Sequence, residues 1–267
     1  MAKRIATGVI GGGVFLWLTV RGGGAFAGLI AAIGLGMFYE YVRMHGDRPT
    51  APHALLGFAL TFVLIFFTLG EIRDRLKLDL LWAVTFLLLF IAVATQNRLS
   101  LRRLSYILVG AVYIGLGLHY FYAVRNVERG LSLTLWVLAV VWTTDTAAYF
   151  VGRAVGRHLL WPSISPKKTW EGAVGGLVAG MAAAFIAAEV LDLPYRALPL
   201  FATAALVSIG GQVGDLIESA IKRSLGVKDS GSLLPGHGGL FDRFDSLIVA
   251  FPTFAWAARM LAPFLWP

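Results

Sequence analysis

Apolar runs long enough to cross a bilayer recur along this chain, and their repetition constrains its folding more than any single motif. They fall at about nine places, near residues 5–20, 25–42, 54–70, 80–96, 104–124, 131–152, 172–191, 197–217 and 246–265. A lipid core about 30 Å thick takes roughly 20 residues of helix. Inside it, every backbone N–H and C=O must be satisfied within the spanning structure. Composition agrees: 58% of residues are hydrophobic and only 14% charged, against roughly 25% charged in soluble domains. The expected fold is all-α, a polytopic integral membrane protein of about nine transmembrane helices. Its N-terminal helices occupy 1–96 and its C-terminal helices 97–267, as one continuous membrane unit with the chemistry in the second part. The chain has no cysteine, which excludes disulfides and thiolate metal sites. A net charge of +8 suits anionic lipid surfaces and phosphate-bearing ligands. Nucleic acid is not expected as a partner.

The start "MAKRIATGVI" with "AFA" at 25–27 imitates a secretory signal and its cleavage site, but Arg21 interrupts the run before that site. Orientation follows from Lys and Arg in alternate connections. The N-terminus and the even-numbered connections hold 15, the odd-numbered ones 7. The bias places the N-terminus in the cytoplasm, and it rests on the sixth and eighth connections. Those two, "GRAVGRHLLWPSISPKKTWEG" (152–172) and "SAIKRSLGVKDSGSLLPGHGGLFDRFD" (219–245), are the longest polar ones. Facing the same side, they point to one shared site.

The candidate chemistry sits in and beside them. Continued as a helix, "GDLIESAIKR" puts Asp215, Glu218, Ser219 and Lys222 on one face. A carboxylate such as Asp215, in the last turns of an apolar run, normally meets a cavity, a partner or an ion. The bland alternative is an ion pair with Lys222 or Arg223. Gly210 and Gly214 would let a backbone or ligand approach that turn. In "PGHGGLFDRFD", Pro235-Gly236 marks a turn, and Gly238 and Gly239 leave N–H groups for an anion-binding nest. Asp242 and Asp245 follow, with Arg243 between them, and carboxylates beside phosphates suit Mg²⁺. In "SISPKKTWEG", Thr169 can cap a helix whose N-terminus adds positive potential beside Ser165, Lys167 and Lys168. Those lysines alone would also serve as a positive-inside flank. Gly172, Gly176 and Gly180 behind them form a close-packing stripe. Asp145, inside "VVWTTDTAAYFVGR", must find a cation, a metal or a donor within the bundle. Glu40, Glu71 and Asp74 read as helix ends without a function.

Taken together, Ser219, Lys222, Arg223, Lys228, Asp229, Pro235, His237, Gly238, Gly239, Asp242, Arg243 and Asp245 resemble the signature of the phosphatidate cytidylyltransferases, also called CDP-diglyceride synthases. "DTAAYFVGR" and "SPKKTWEG" are similar to that family's neighbouring motifs in order and spacing. The resemblance is specific over about 143–246 and general in hydropathy before that. It implies that phosphatidic acid and CTP give CDP-diacylglycerol and pyrophosphate. It further implies a Mg²⁺ requirement, leaving open a second, monovalent cation, and a homodimer in the cell (inner) membrane with its site facing the cytoplasm.

On that resemblance Asp215 and Asp242 are the expected metal ligands, with Asp245 and Asp229 as lesser candidates. Lys167, Lys168, Lys222, Arg223, Lys228 and Arg243 would clamp phosphates; Ser165, Ser219, His237, Gly238 and Gly239 would join in substrate binding. Asp145 would contact the metal shell or orient a clamp. A CTP-dependent synthase or kinase for another membrane lipid, an ether-lipid phosphate or a polyprenol, shares the same logic. An anion transporter fits less well, because the first five helices are almost bare of mid-span charge.

Overall fold

The structure, a computed structural model, describes residues 2–66, 71–234, 236 and 238–265. Those residues form nine helices: α1 (Ala2–Arg21), α2 (Gly23–Met44), α3 (Pro52–Phe66), α4 (Glu71–Ala94), α5 (Leu101–Arg125), α6 (Gly130–Val155), α7 (Trp170–Val190), α8 (Ala197–Ser224) and α9 (Phe241–Leu265). Six of them, α2 and α5 to α9, are long and apolar enough to cross a membrane, while α1, α3 and α4 hold shorter apolar stretches. The expected helical membrane fold is therefore present, with six candidate spans among nine helices. One element departs from an all-α reading, a two-stranded antiparallel hairpin of β1 (Leu159–Trp161) and β2 (Ser165–Thr169).

The chain divides into two compact units. The first holds the residues up to Ala123 together with Asp229–Phe241. Its core is built from long side chains fitted against glycines. Phe26, Ile30, Met37 and Phe38 of α2 are fully buried, as are Ile107, Ile114, Leu118 and Phe121 of α5. Gly57 faces the Phe38 ring and Gly110 the Tyr41 ring, and a side chain at either would overlap it. Tyr41 and Tyr106 stack at 4.0 Å, and each hydroxyl donates to the other's carbonyl, at 3.2 and 2.9 Å. Such pairing satisfies two polar tips that burial would otherwise strand.

The second unit holds Val124–Lys228 and the residues from Asp242 onward. Here the glycine stripe of α7 packs as its spacing predicts. A side chain at Gly172 would come 2.7 Å from the Ala148 carbonyl, and one at Gly176 2.7 Å from that of Thr144. α6 and α7 thus approach backbone to backbone, which small residues at four-residue spacing permit. Trp136 Nε1 donates to the Ala184 carbonyl at 2.8 Å, and Thr144 Oγ1 to Ser208 Oγ at 3.0 Å. Gly214 admits the backbone of α9 and Gly210 one of its side chains: a side chain at Gly214 would come 2.5 Å from the Asp245 carbonyl, and one at Gly210 2.7 Å from Thr253 Oγ1.

Candidate functional site

The β1–β2 hairpin carries the lysines to the site. Leu159 pairs with Thr169 and Trp161 with Ser165, with an irregularity between them. In a two-stranded sheet both strands are edges, so Pro166 is tolerated in β2. Glu171 ties the base of the hairpin. It accepts from the Arg157 and His158 backbone N–H groups at 3.1 and 3.2 Å, and its Oε1 lies 2.6 Å from His158 Nδ1. Thr169 caps α7 as predicted, its Oγ1 accepting from Gly172 N–H at 3.1 Å. Lys167 and Lys168 are thereby fixed just ahead of a helix N-terminus, where positive potential favours an anion.

α8 supplies the facing carboxylates. Its 28 residues reach about 42 Å at 1.5 Å per residue, beyond a core roughly 30 Å thick. The last turns can therefore carry charge without leaving the helix, and Asp215, Glu218, Ser219 and Lys222 share a face as their spacing requires. The partner of Asp215 is not Lys222 or Arg223, however. Lys168 Nζ lies 2.8 Å from Asp215 Oδ2, and Ser219 Oγ reaches Oδ1 at 3.5 Å. Asp145 and Asp245 both lie within electrostatic reach of Asp215 and of Lys168. Ser246 hydrogen-bonds Asp145 through its hydroxyl and donates its backbone N–H to Asp245 Oδ1 at 2.8 Å.

Beside this group, Lys222 is bracketed by two carboxylates. Its Nζ is 2.7 Å from Glu218 Oε2 and 2.7 Å from Asp242 Oδ1. Asp245 also acts electrostatically on Glu218, which joins the two groups. Five carboxyl groups thus gather around two ammonium groups, in a partly desolvated place where such acids either keep a proton or take a further cation.

A cavity of about 500 Å³ opens on the first group, within the range that holds small-molecule ligands. Asp145, Asp215, Lys167, Lys168, Arg153 and Gln212 give it a polar side, and Ala148, Leu160, Ala173 and Leu216 an apolar one. Lys167 is exposed, and Ser165 is half-buried in β2. Arg223 donates to the Ile164 carbonyl at 3.3 Å and to the Val227 carbonyl at 3.1 Å, tying the hairpin tip to the end of α8. Lys228 and Arg243 are exposed members of the same unit.

Asp229, Gly238 and Gly239 belong to the first unit. Asp229 is exposed there. Gly238 takes φ +82°, and its carbonyl accepts from Leu234 N–H at 3.1 Å. Pro235 and His237 lie outside the described residues.

The donor set has the chemistry for a divalent cation, since hard carboxylate oxygens are what Mg²⁺ takes. In the arrangement described, the ammonium groups of Lys168 and Lys222 engage those oxygens. Among the described residues, no three Asp, Glu or His side chains converge closely enough to hold a metal ion by themselves.

Several residues of this region escaped the sequence reading as site members, Arg153 and Ser246 among them. Glu218, 1% exposed, was legible only as part of a helix face, although its i,i+4 spacing to Lys222 was the available signal. Gln212 lines the cavity and donates to the Ala173 carbonyl at 3.3 Å. Glu171 has no signal beyond its place in the first turn of α7, where a carboxylate is favoured.

Fold and site together define a helical membrane protein whose C-terminal helices bring lysines and carboxylates to one cavity. The match to known sequences gives the class its particular form. Residues 2–261 match the Cytidylyltransferase family, and the chain belongs to it. It is 38% identical over 256 residues to the phosphatidate cytidylyltransferase of Bacillus subtilis (strain 168), covering 94% of this chain and 95% of that one. The phosphatidate cytidylyltransferase of Staphylococcus haemolyticus (strain JCSC1435) is also 38% identical, over 94% of this chain and 96% of its own. That of Staphylococcus aureus (strain COL) is 36% identical over the same shares.

Proposed function

We propose that this chain is a phosphatidate cytidylyltransferase, transferring CMP from CTP to phosphatidic acid to give CDP-diacylglycerol and pyrophosphate. The observation that carries the reading is the Lys168–Asp215 pair at a cavity between hairpin and helix, inside a chain of this family. A lipid phosphate oxygen bonds to the α-phosphorus of CTP, and the bond from that phosphorus to the bridging oxygen of pyrophosphate breaks. Both reactants are anions, so the work is to bring like charges together and hold them in line. Lys167 and Lys168 meet phosphate oxygens at the cavity, aided by the N-terminus of α7. Phosphate oxygens compete with Asp215 for Lys168, so substrate binding frees a carboxylate. Glu218 and Asp242 hold Lys222 in one direction as a second clamp, and Arg223 and Lys228 add positive potential. Asp145, with Ser246 bonded to it, orients the polar wall of the cavity.

Asp215 and Asp242 would hold Mg²⁺, with Asp245 and Asp229 as lesser candidates. A monovalent cation can share the same carboxylate surplus. When bound, Mg²⁺ neutralises phosphate oxygens and stabilises charge that develops on the leaving pyrophosphate. All nine helices span the inner membrane in this reading, the charged connections face the cytoplasm, and two copies form a homodimer. The lipid tails stay in the bilayer, so the charged wall sits near its surface while the substrate enters from the side.

The test is incubation of purified protein with labelled CTP, Mg²⁺ and phosphatidic acid, in parallel with an ether-lipid phosphate and a polyprenol. CDP-diacylglycerol and equimolar pyrophosphate are expected with phosphatidic acid. Formation of neither product overturns the reading, and preferential turnover of another lipid reassigns the acceptor.

A further inference from the structure

The sequence treated Glu40 as the unremarkable end of an apolar helix. In the structure it is 1% exposed and lies against Ser230, Gly231, Gly239 and Phe241. Its Oε2 accepts from Ser230 Oγ at 3.2 Å and from Phe241 N–H at 2.9 Å. Phe241 is the first residue of α9, so its N–H is one that the helix cannot satisfy internally. Two glycines close over the same carboxylate. A side chain at Gly231 would come 2.6 Å from Glu40 Oε1, and one at Gly239 would overlap Ser230 Oγ and Glu40 Oε2. Neither glycine has a positive φ, so backbone conformation does not require glycine at either place. Glu40 does.

A buried carboxylate is tolerated where hydrogen bonds and local dipoles surround it, and it is expensive to leave there otherwise. We infer that Glu40 is a positioning residue: an internal acceptor, enclosed by Gly231 and Gly239, that sets the first turn of α9. Asp242 and Asp245 follow Phe241 by one and four residues in that helix, so the direction in which α9 starts is the direction in which they are presented. Gly239, which the sequence offered as part of a nest for a substrate anion, is fitted to a side chain the protein supplies. The consequence for catalysis rests on the cytidylyltransferase reading above; the clamp itself does not.

The test pairs two measurements on full-length protein in detergent or nanodiscs. Hydrogen–deuterium exchange is followed over peptides covering 230–241, and kcat and KM for CTP and phosphatidic acid are measured beside it. In Glu40→Ala the loop peptides should exchange faster, since a lost hydrogen-bond partner lowers local stability. Misplacing reacting groups by an ångström costs about 10²-fold, so kcat should fall by about that much while both KM values stay within about twofold. Glu40→Gln keeps an oxygen for Phe241 N–H and should recover part of both effects.

Gly231→Ala should reproduce the loss with Glu40 in place, since the atoms its methyl would meet all belong to the Glu40 side chain. Adding it to Glu40→Ala should cost little more, because the methyl enters space the carboxylate has left and the two changes share one contact. Unchanged loop exchange in Glu40→Ala overturns the inference, as does unchanged kcat alongside faster exchange, or strict additivity of the two substitutions. If Glu40→Ala does not accumulate, Ser230→Ala and Gly231→Ala carry the same two readouts. Inactivity of the unsubstituted enzyme would sink the cytidylyltransferase reading instead, and loop exchange alone would then decide the clamp.

Discussion

The two compact units use acid groups in opposite ways. In the first, Glu40 and Asp47 are wrapped by their own surroundings: Glu40 by a serine and a helix N-terminus, Asp47 by His45, His53 and Arg103 at 3.3, 3.4 and 3.3 Å. In the second, Asp145 and Asp215 line a cavity, and Asp215 holds an ammonium group on a hairpin rather than one from its own helix. A carboxylate enclosed by the fold, out of reach of a ligand, can only hold a shape. One whose partner is a lysine at a cavity wall can exchange that partner for a ligand. The same residue type is architecture in one unit and chemistry in the other, and what separates them is whether the coordination can be replaced.

The hardest test of that difference is loss of charge without loss of shape. Asp215→Asn and Asp242→Asn should each lower kcat on the order of 10³-fold, the scale of removing a preorganised electrostatic group. Membrane insertion and elution as folded protein should be unchanged. Turnover within tenfold of the unsubstituted enzyme in either variant would remove that residue from the chemistry. Next in size, Lys168→Ala should fall about 10²-fold in kcat/KM, because it strips a phosphate clamp and leaves Asp215 without its ammonium. Lys167→Ala should do less. It is exposed, so a loss of about tenfold, expressed in KM for one phosphate substrate, is expected from an outer clamp. Unchanged dependence on both substrates would return Lys167 to setting membrane orientation.

How much of this could be read in advance depended on how far apart the partners lie. The continuation of α8 through Asp215 to Lys222 was legible because the polar residues keep helical spacing. The glycine stripe of α7 was legible for the same reason, and so was Thr169 as a cap. The partner of Asp215 was not: spacing offered Lys222 and Arg223, and folding chose Lys168. The hairpin hid as well, since strands of three and five residues have no periodicity of their own and exist through their pairing. Glu40 was least legible of all. Its partners stand 190 and 201 residues away, so within its own helix it looks like any acid near a helix end. Local pattern shows which residues share a face, but only the fold shows what that face meets.

The finest test of the comparison lies in the first unit, where a change should touch stability and spare catalysis. Asp47 is 7% exposed and bridges the turn after α2, the start of α3 and the start of α5 through His45, His53 and Arg103. Asp47→Asn keeps the volume and one acceptor oxygen but turns the other position into a donor facing donors. Spoiling buried polar contacts of this kind costs about 1–3 kcal/mol. For a chain of this size that lowers an apparent melting temperature by about 2–8 °C. A thermal-shift or aggregation-onset measurement in detergent reads it directly. The kcat per folded molecule should stay within about twofold, because no group of the Asp145–Asp215–Lys168 site depends on Asp47 for a hydrogen bond. If kcat fell instead while the melting temperature held, a wrapped carboxylate of the first unit would be acting on the reaction. Replaceable coordination would then no longer separate the two kinds of acid group.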